Sequence, residues 1–176
     1  MANWIHRSAR LLRHRWAEGQ LGQMGTPALI EQLTHAVIAS EFRHTGQVRI
    51  CIEAGLPVSY VWRGACARER AVALFSKLRV WDTEHNNGVL IYLLLADHAL
   101  EIVADRGLAC HVPQQTWDAL TGKLSAALST GHYAEGLMQA LADASTLLEQ
   151  HFPCPPRTSD QPRRNELPDT PFIAAH

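Results

Sequence analysis

The segment Asp82-Thr83-Glu84-His85-Asn86-Asn87-Gly88 puts two carboxylates, an imidazole and two amides into one short stretch. Oxygen donors at alternate positions are how a short loop wraps Ca²⁺ or Mg²⁺, which makes Asp82 and Glu84 candidate metal ligands. The spacing departs from the EF-hand loop, because the glycine comes one place late and Leu93 stands where that pattern ends in glutamate. Further ligands must come from elsewhere in the chain, and Asp105 is the candidate. His85 could act as a general base or an anion partner near neutral pH. The same residues also suit a polar turn in which Asn86 and Asn87 cap backbone groups. Both readings stand on these residues alone.

Other chemistries lack their parts. Cys51, Cys66, Cys110 and Cys154 lie far apart with no C-x-x-C pair, so neither a zinc knuckle nor a thioredoxin-like motif is present. No histidine can be placed against Cys51, and His111 beside Cys110 points elsewhere if that stretch is extended, so a thiolate nucleophile has no base. There is no G-x-S-x-G, P-loop or G-x-G-x-x-G.

Asp105 can meet the Asp82 loop only if strands bring them together, and the hydrophobic pattern supplies those strands. Val89 to Leu95 is apolar at every position, the mark of a strand covered on both faces. Asp97-His98 separates it from the apolar segment 99–104, so a two-residue hairpin is expected. In such an antiparallel pair the residues near Gly88 lie beside those near Gly107. Gly88 and Gly107 then mark two places for close backbone approach or a positive φ. Upstream, Val48, Ile50 and Ile52 alternate with Gln47, Arg49, Cys51 and Glu53, the period of a further strand.

Helices must cover this sheet. Thr26-Pro27 is a start signal, and Leu29, Ile30, Leu33, Val37, Ile38 and Phe42 follow at helical spacing. A second helix is expected from Cys66 to Leu78, flanked by Trp62 and Trp81 as core anchors. Two more close the domain, one with Trp117, Leu120, Leu124 and Leu128, the other with Leu137, Leu141, Ala144 and Leu148. The order predicts an α/β fold, a three-layer αβα sandwich with a central mixed sheet and helices on both faces. Its first two strands, joined through a helix, are expected to be parallel and connected right-handedly.

With 176 residues and 47% hydrophobic content the chain can build one substantial core. The expected organisation is a basic amphipathic helix over 1–22, which docks on the domain or meets a membrane surface or partner, an α/β domain over 26–152, and a disordered Pro-rich tail over 153–176. Sixteen basic against seventeen acidic residues predict no non-specific nucleic-acid binding. The N-terminal segment has no apolar signal-peptide core, and the longest apolar run is well short of the ~20 residues of a membrane span. A cytoplasmic protein with reduced thiols is expected.

Three segments together resemble one known family: Leu74-Phe75-Ser76-Lys77-Leu78, then Asn86-Asn87-Gly88-Val89-Leu90-Ile91-Tyr92-Leu93, then Leu100-Glu101-Ile102-Val103-Ala104-Asp105-Arg106-Gly107-Leu108. They are similar to the TPM domain family from about Thr45 to Phe152, including Gly131-His132-Tyr133-Ala134-Glu135-Gly136-Leu137 at a helix start. The resemblance implies an α/β sandwich, divalent-cation binding in some members, and phosphatase activity of the kind proposed for some plant members. It also points to a bacterial branch found alongside LemA-like membrane proteins, which makes such a protein the expected partner. Two departures stand out. Asn86-Asn87-Gly88 occupies the place of the family's D-N-G, and Asp105-Arg106-Gly107 that of its G-x-G, so a carboxylate is lost on one strand end and gained on its neighbour. Two functions follow. In one, the domain is an interaction module that binds a cation. In the other it is a metal-dependent phosphatase in which Asp82, Glu84 and Asp105 hold the ion while Arg106, with Asn86, Asn87 and His85, contacts phosphate.

Overall fold

The computed structural model describes residues 2–155 and 165–174. Its centre is a four-stranded sheet. β1 (Gln47–Glu53) and β2 (Gly88–Leu94) run parallel with Gln47 opposite Gly88. β3 (Ala99–Ala104) is antiparallel to β2, and β4 (Phe172–Ala174) is parallel to the other edge of β1, giving the order β3-β2-β1-β4.

The period of two along each strand divides two cores. Val48, Ile50, Ile52, Val89, Ile91 and Leu93 point to one face. There they pack on α3 (Pro27–Glu41), α7 (Gln114–Ser129) and α8 (Tyr133–His151) through Leu33, Val37, Leu124, Leu137, Leu141 and Leu148. Cys51, Leu90, Tyr92 and Leu94 point to the other face, against α4 (Val58–Trp62) and α5 (Ala67–Lys77) through Val61, Ala71 and Leu74. Both central strands are buried along their whole length; the continuous apolar run of β2 predicts this, whereas β1, read as alternating, buries Gln47, Arg49 and Glu53 as well. The result is an α/β sandwich with helices on both faces of a mixed sheet.

Several expectations change in detail. The N-terminal region is two helices, α1 (Ala2–Trp16) and α2 (Glu18–Met24), rather than one. α1 docks on the domain: Arg10 donates to the Ala65 carbonyl at 2.8 Å and pairs with Asp97 at 3.0 Å, and Arg13 also pairs with Asp97. His14 accepts the Leu56 N–H on Nδ1 at 2.9 Å. Gly55 lets the helix come this close, because a Cβ there would stand 2.7 Å from the His14 carbonyl oxygen. The β2–β3 connection is a 3-10 turn, Leu95–Asp97, closed by His98 at φ 48°, instead of a two-residue hairpin. Trp62 and Trp81 are 54% and 49% exposed and are not core anchors. In the one-turn helix α4 the inward position belongs to Val61, leaving Trp62 to face out.

The C-terminal segment departs most from expectation. Residues 156–164 lie outside the described residues, but 165–174 are ordered against the domain. Gln47 Oε1 accepts the N–H groups of Glu166 (2.8 Å) and Leu167 (3.1 Å). Arg49 Nη1 donates to the carbonyls of Pro168 and Thr170, and the chain then enters β4. A proline-rich, polar composition predicts disorder because it offers little to bury. Here the partner is instead the open edge of β1, which needs backbone donors and acceptors whatever the side chains are.

Candidate functional site

The end of the sheet where β1 and β2 begin and β3 finishes gathers the predicted residues. The chain leaves α5 through Arg79, at φ 55°, and passes Val80 directly over Gly88. A Cβ on Gly88 would stand 1.9 Å from the Val80 carbonyl oxygen, so only glycine fits. The left-handed position of the loop falls on Asn86, at φ 50°, a residue type that tolerates it. Thr83 holds the turn: its carbonyl accepts the Asn86 N–H at 3.2 Å and its hydroxyl accepts the Asn87 N–H at 3.1 Å.

On the neighbouring strand the Asp105 N–H donates to the Gly88 carbonyl at 2.8 Å, extending the β2–β3 ladder. Asp105 then caps the short helix α6 (Arg106–Ala109), its Oδ1 accepting the Arg106 N–H at 2.7 Å. Gly107 donates to the Asn86 carbonyl at 2.9 Å, and Arg106 Nε donates to Asn86 Oδ1 at 3.1 Å. The expected meeting of the Asp82 loop with the Asp105 turn is thus made by two backbone hydrogen bonds and the Arg106–Asn86 side-chain bond.

The candidate side chains fare differently. Asp105 is only 8% exposed, and its Oδ2 is buried with no hydrogen-bond partner among the described residues. Asp82, Glu84 and His85 are exposed. Asn87 is buried, with its Nδ2 3.4 Å from the Thr45 hydroxyl, so its side chain ties the loop to the segment before β1. Among the described residues no group of three or more His, Cys, Asp and Glu side chains stands where it could hold a metal ion. A cation here would therefore rest on Asp105, backbone carbonyls of the loop and water. Sequence reasoning missed Thr83, Thr45, Gln47 and Glu166. Thr83 carried a signal, a hydroxyl placed to cap the turn it opens. Glu166 carried none: its Oε2 accepts the Glu84 N–H at 2.8 Å from a segment read as tail.

A second polar group lies at the opposite end of β1. Glu53 is fully buried, takes a bidentate bond from Arg70, and accepts the Tyr92 hydroxyl at 2.6 Å. Burial, and then the Glu53 charge, hold the Tyr92 hydroxyl well above its ordinary range. The same two causes push the Cys51 thiol up to about 12, which leaves it protonated and inert.

This architecture, a mixed sheet between helical layers with a polar loop laced to the turn after its edge strand, defines a class of α/β sandwich domain. The chain belongs to the TPM domain family, whose sequence model matches residues 25–147. No curated protein matches it. Among solved structures it is similar to the BA42 protein from the psychrophilic bacterium Bizionia argentinensis, determined by NMR. That likeness, at 24% identity and a TM-score of 0.70, covers 85% of this chain and 94% of that one, and it speaks to the fold. No helix among the described residues is long and apolar enough to cross a membrane.

Proposed function

We propose that this TPM domain is an interaction module whose strand-end loop takes up a hard divalent cation, Ca²⁺ or Mg²⁺, with Asp105 as its anchoring ligand. The observation that carries the reading is the buried Asp105 Oδ2 without a hydrogen-bond partner among the described residues. A buried carboxylate oxygen costs stability unless something compensates it, and a cation is the strongest compensation available. Hard cations accept backbone carbonyls and water alongside carboxylates, so one buried aspartate on a carbonyl-lined loop is a workable, low-affinity site. Asp82 and Glu84, exposed on the same loop, add negative charge around it. The exposure of Asp82, Glu84 and His85, and the engagement of Arg106 with Asn86, favour binding over catalysis. A LemA-like membrane protein is the partner class that the family resemblance suggests.

The test is calorimetric titration of metal-stripped protein with Ca²⁺ and with Mg²⁺, repeated on Asp105→Asn, which keeps an acceptor for the Arg106 N–H. Saturable binding that weakens at least about tenfold in the variant supports the reading. No binding in the parent protein overturns it. Hydrolysis of a phosphate ester by the loaded protein, abolished in Asp105→Asn, would move the chain to the metal-dependent phosphatases.

A further inference from the structure

We infer that the outer face of α1 is a docking surface for anionic lipid headgroups, independent of the cation site. The inner face of this helix is occupied by the domain: His14 and Ala17 are buried, and Arg10 and His14 reach Ala65, Asp97 and Leu56. The outer face carries Leu12, 72% exposed, and Trp16, 80% exposed, one helical turn apart. At 100° per residue, Arg13 and Arg15 fall on either side of that pair, and both are exposed. α4, which packs against α1, exposes Val58 and Trp62 at the same spacing.

Charge selects the occupant. Residues 2–16 hold four arginines and no carboxylate, in a chain whose formal net charge is −1, and the single carboxylate of Asp97, met by Arg10 and Arg13, offsets only part of that charge. The positive charge is therefore concentrated on the element that presents exposed leucine and tryptophan. An apolar stripe flanked by arginines is the arrangement that lies in the plane of an anionic bilayer, with tryptophan at headgroup level. A second copy of this chain would bring the same arginines against one another, which disfavours a symmetric dimer through this face. Because Asp97 and His14 pin α1 beyond the ends of the two central strands, the helix would present its face already formed, without the cost of folding on the surface.

The experiment is flotation of the full chain with phosphatidylcholine vesicles and with vesicles containing about 30% phosphatidylglycerol, at low and at high salt. It is repeated on Leu12→Gln/Trp16→Gln and on Arg15→Gln, with circular dichroism to show that the exposed substitutions leave the fold intact. Binding to the anionic vesicles alone, weakened by salt and by Arg15→Gln and reduced roughly tenfold or more by the double variant, is expected. Failure to float with anionic vesicles, or flotation unchanged in the double variant, overturns the inference. So does a concentration-dependent dimer that the double variant abolishes while vesicles are ignored, which would assign the face to a second copy.

Discussion

Gly107 closes on Asn86: its N–H donates to the Asn86 carbonyl at 2.9 Å, and a Cβ placed on it would stand 2.4 Å from that oxygen and 2.8 Å from the His85 carbonyl oxygen. The candidate loop is held to its neighbouring strand end by an approach that admits no side chain. Gly107→Ala should push the loop away and cost about 1–3 kcal/mol. Gly122→Ala, in the middle of α7 with open space around it, should stabilise by about 0.5–1 kcal/mol. Urea unfolding of both variants checks this, and a neutral Gly107→Ala would show that the contact is readily relaxed.

The Glu53, Arg70 and Tyr92 group should respond asymmetrically to truncation. Arg70→Ala leaves the Glu53 carboxylate buried without its cation and should cost about 3–5 kcal/mol. Tyr92→Phe removes one bond to a charged acceptor and should cost about 1.5–3 kcal/mol. Glu53→Gln/Arg70→Met, which removes both charges, should recover much of the Arg70→Ala loss. Chemical denaturation of the three proteins decides whether charge or packing dominates there.

Docking of α1 should depend on pH through Asp97. Burial alone would raise this carboxyl, but hydrogen bonds from His14 and Arg10, together with the Arg10 charge, outweigh it and hold it well below the usual carboxylate range. A folded-state value below the unfolded one stabilises the docked form whenever the group is ionised. The contribution is therefore complete above the ordinary carboxylate range near 4 and is lost as pH falls toward the folded-state value. Hydrogen exchange over residues 2–16 should show protection at pH 7 that declines below about pH 4. Asp97→Asn should lower the protection at pH 7 and flatten its pH dependence.

Truncation after residue 155 should destabilise the domain and make it aggregate. It strips β4 from β1 and leaves Arg49, which is 92% buried in the intact chain, without the Pro168 and Thr170 carbonyls. A lower thermal midpoint with concentration-dependent light scattering is the expected result. An unchanged midpoint would mean that the last strand contributes nothing to stability.

The sheet was legible because its signals are local. Val48, Ile50 and Ile52 show their period of two within one strand, and the unbroken apolar run from Val89 announces burial on both faces. Asn87-Gly88 announces the turn before β2, and helical spacing from Leu29 to Val37 marks α3. What was illegible depends on contacts across long separations. β4 is three residues long and follows prolines, and only the open edge of β1 gives it a structure. The carboxylates of Asp82 and Glu84 look equivalent to Asp105 in a linear reading. Yet Asp105 alone is drawn inside, because its N–H continues the β2–β3 ladder while the other two sit on the outward side of a turn set by Thr83 and Asn86. The role of the glycines was half legible: close approach at Gly88 and Gly107 holds, whereas the left-handed backbone falls on Asn86.

β4 also imposes an order on biosynthesis. β1 pairs with residues more than a hundred positions further along the chain, and until residue 174 has left the ribosome one of its edges is bare. For the interval between emergence of β1 and arrival of β4, the nascent chain presents a strand with free backbone amides to any neighbour on the same message. The more than one hundred residues between the two strands set the length of that interval, during which the bare edge is open to a chaperone or to a neighbouring chain.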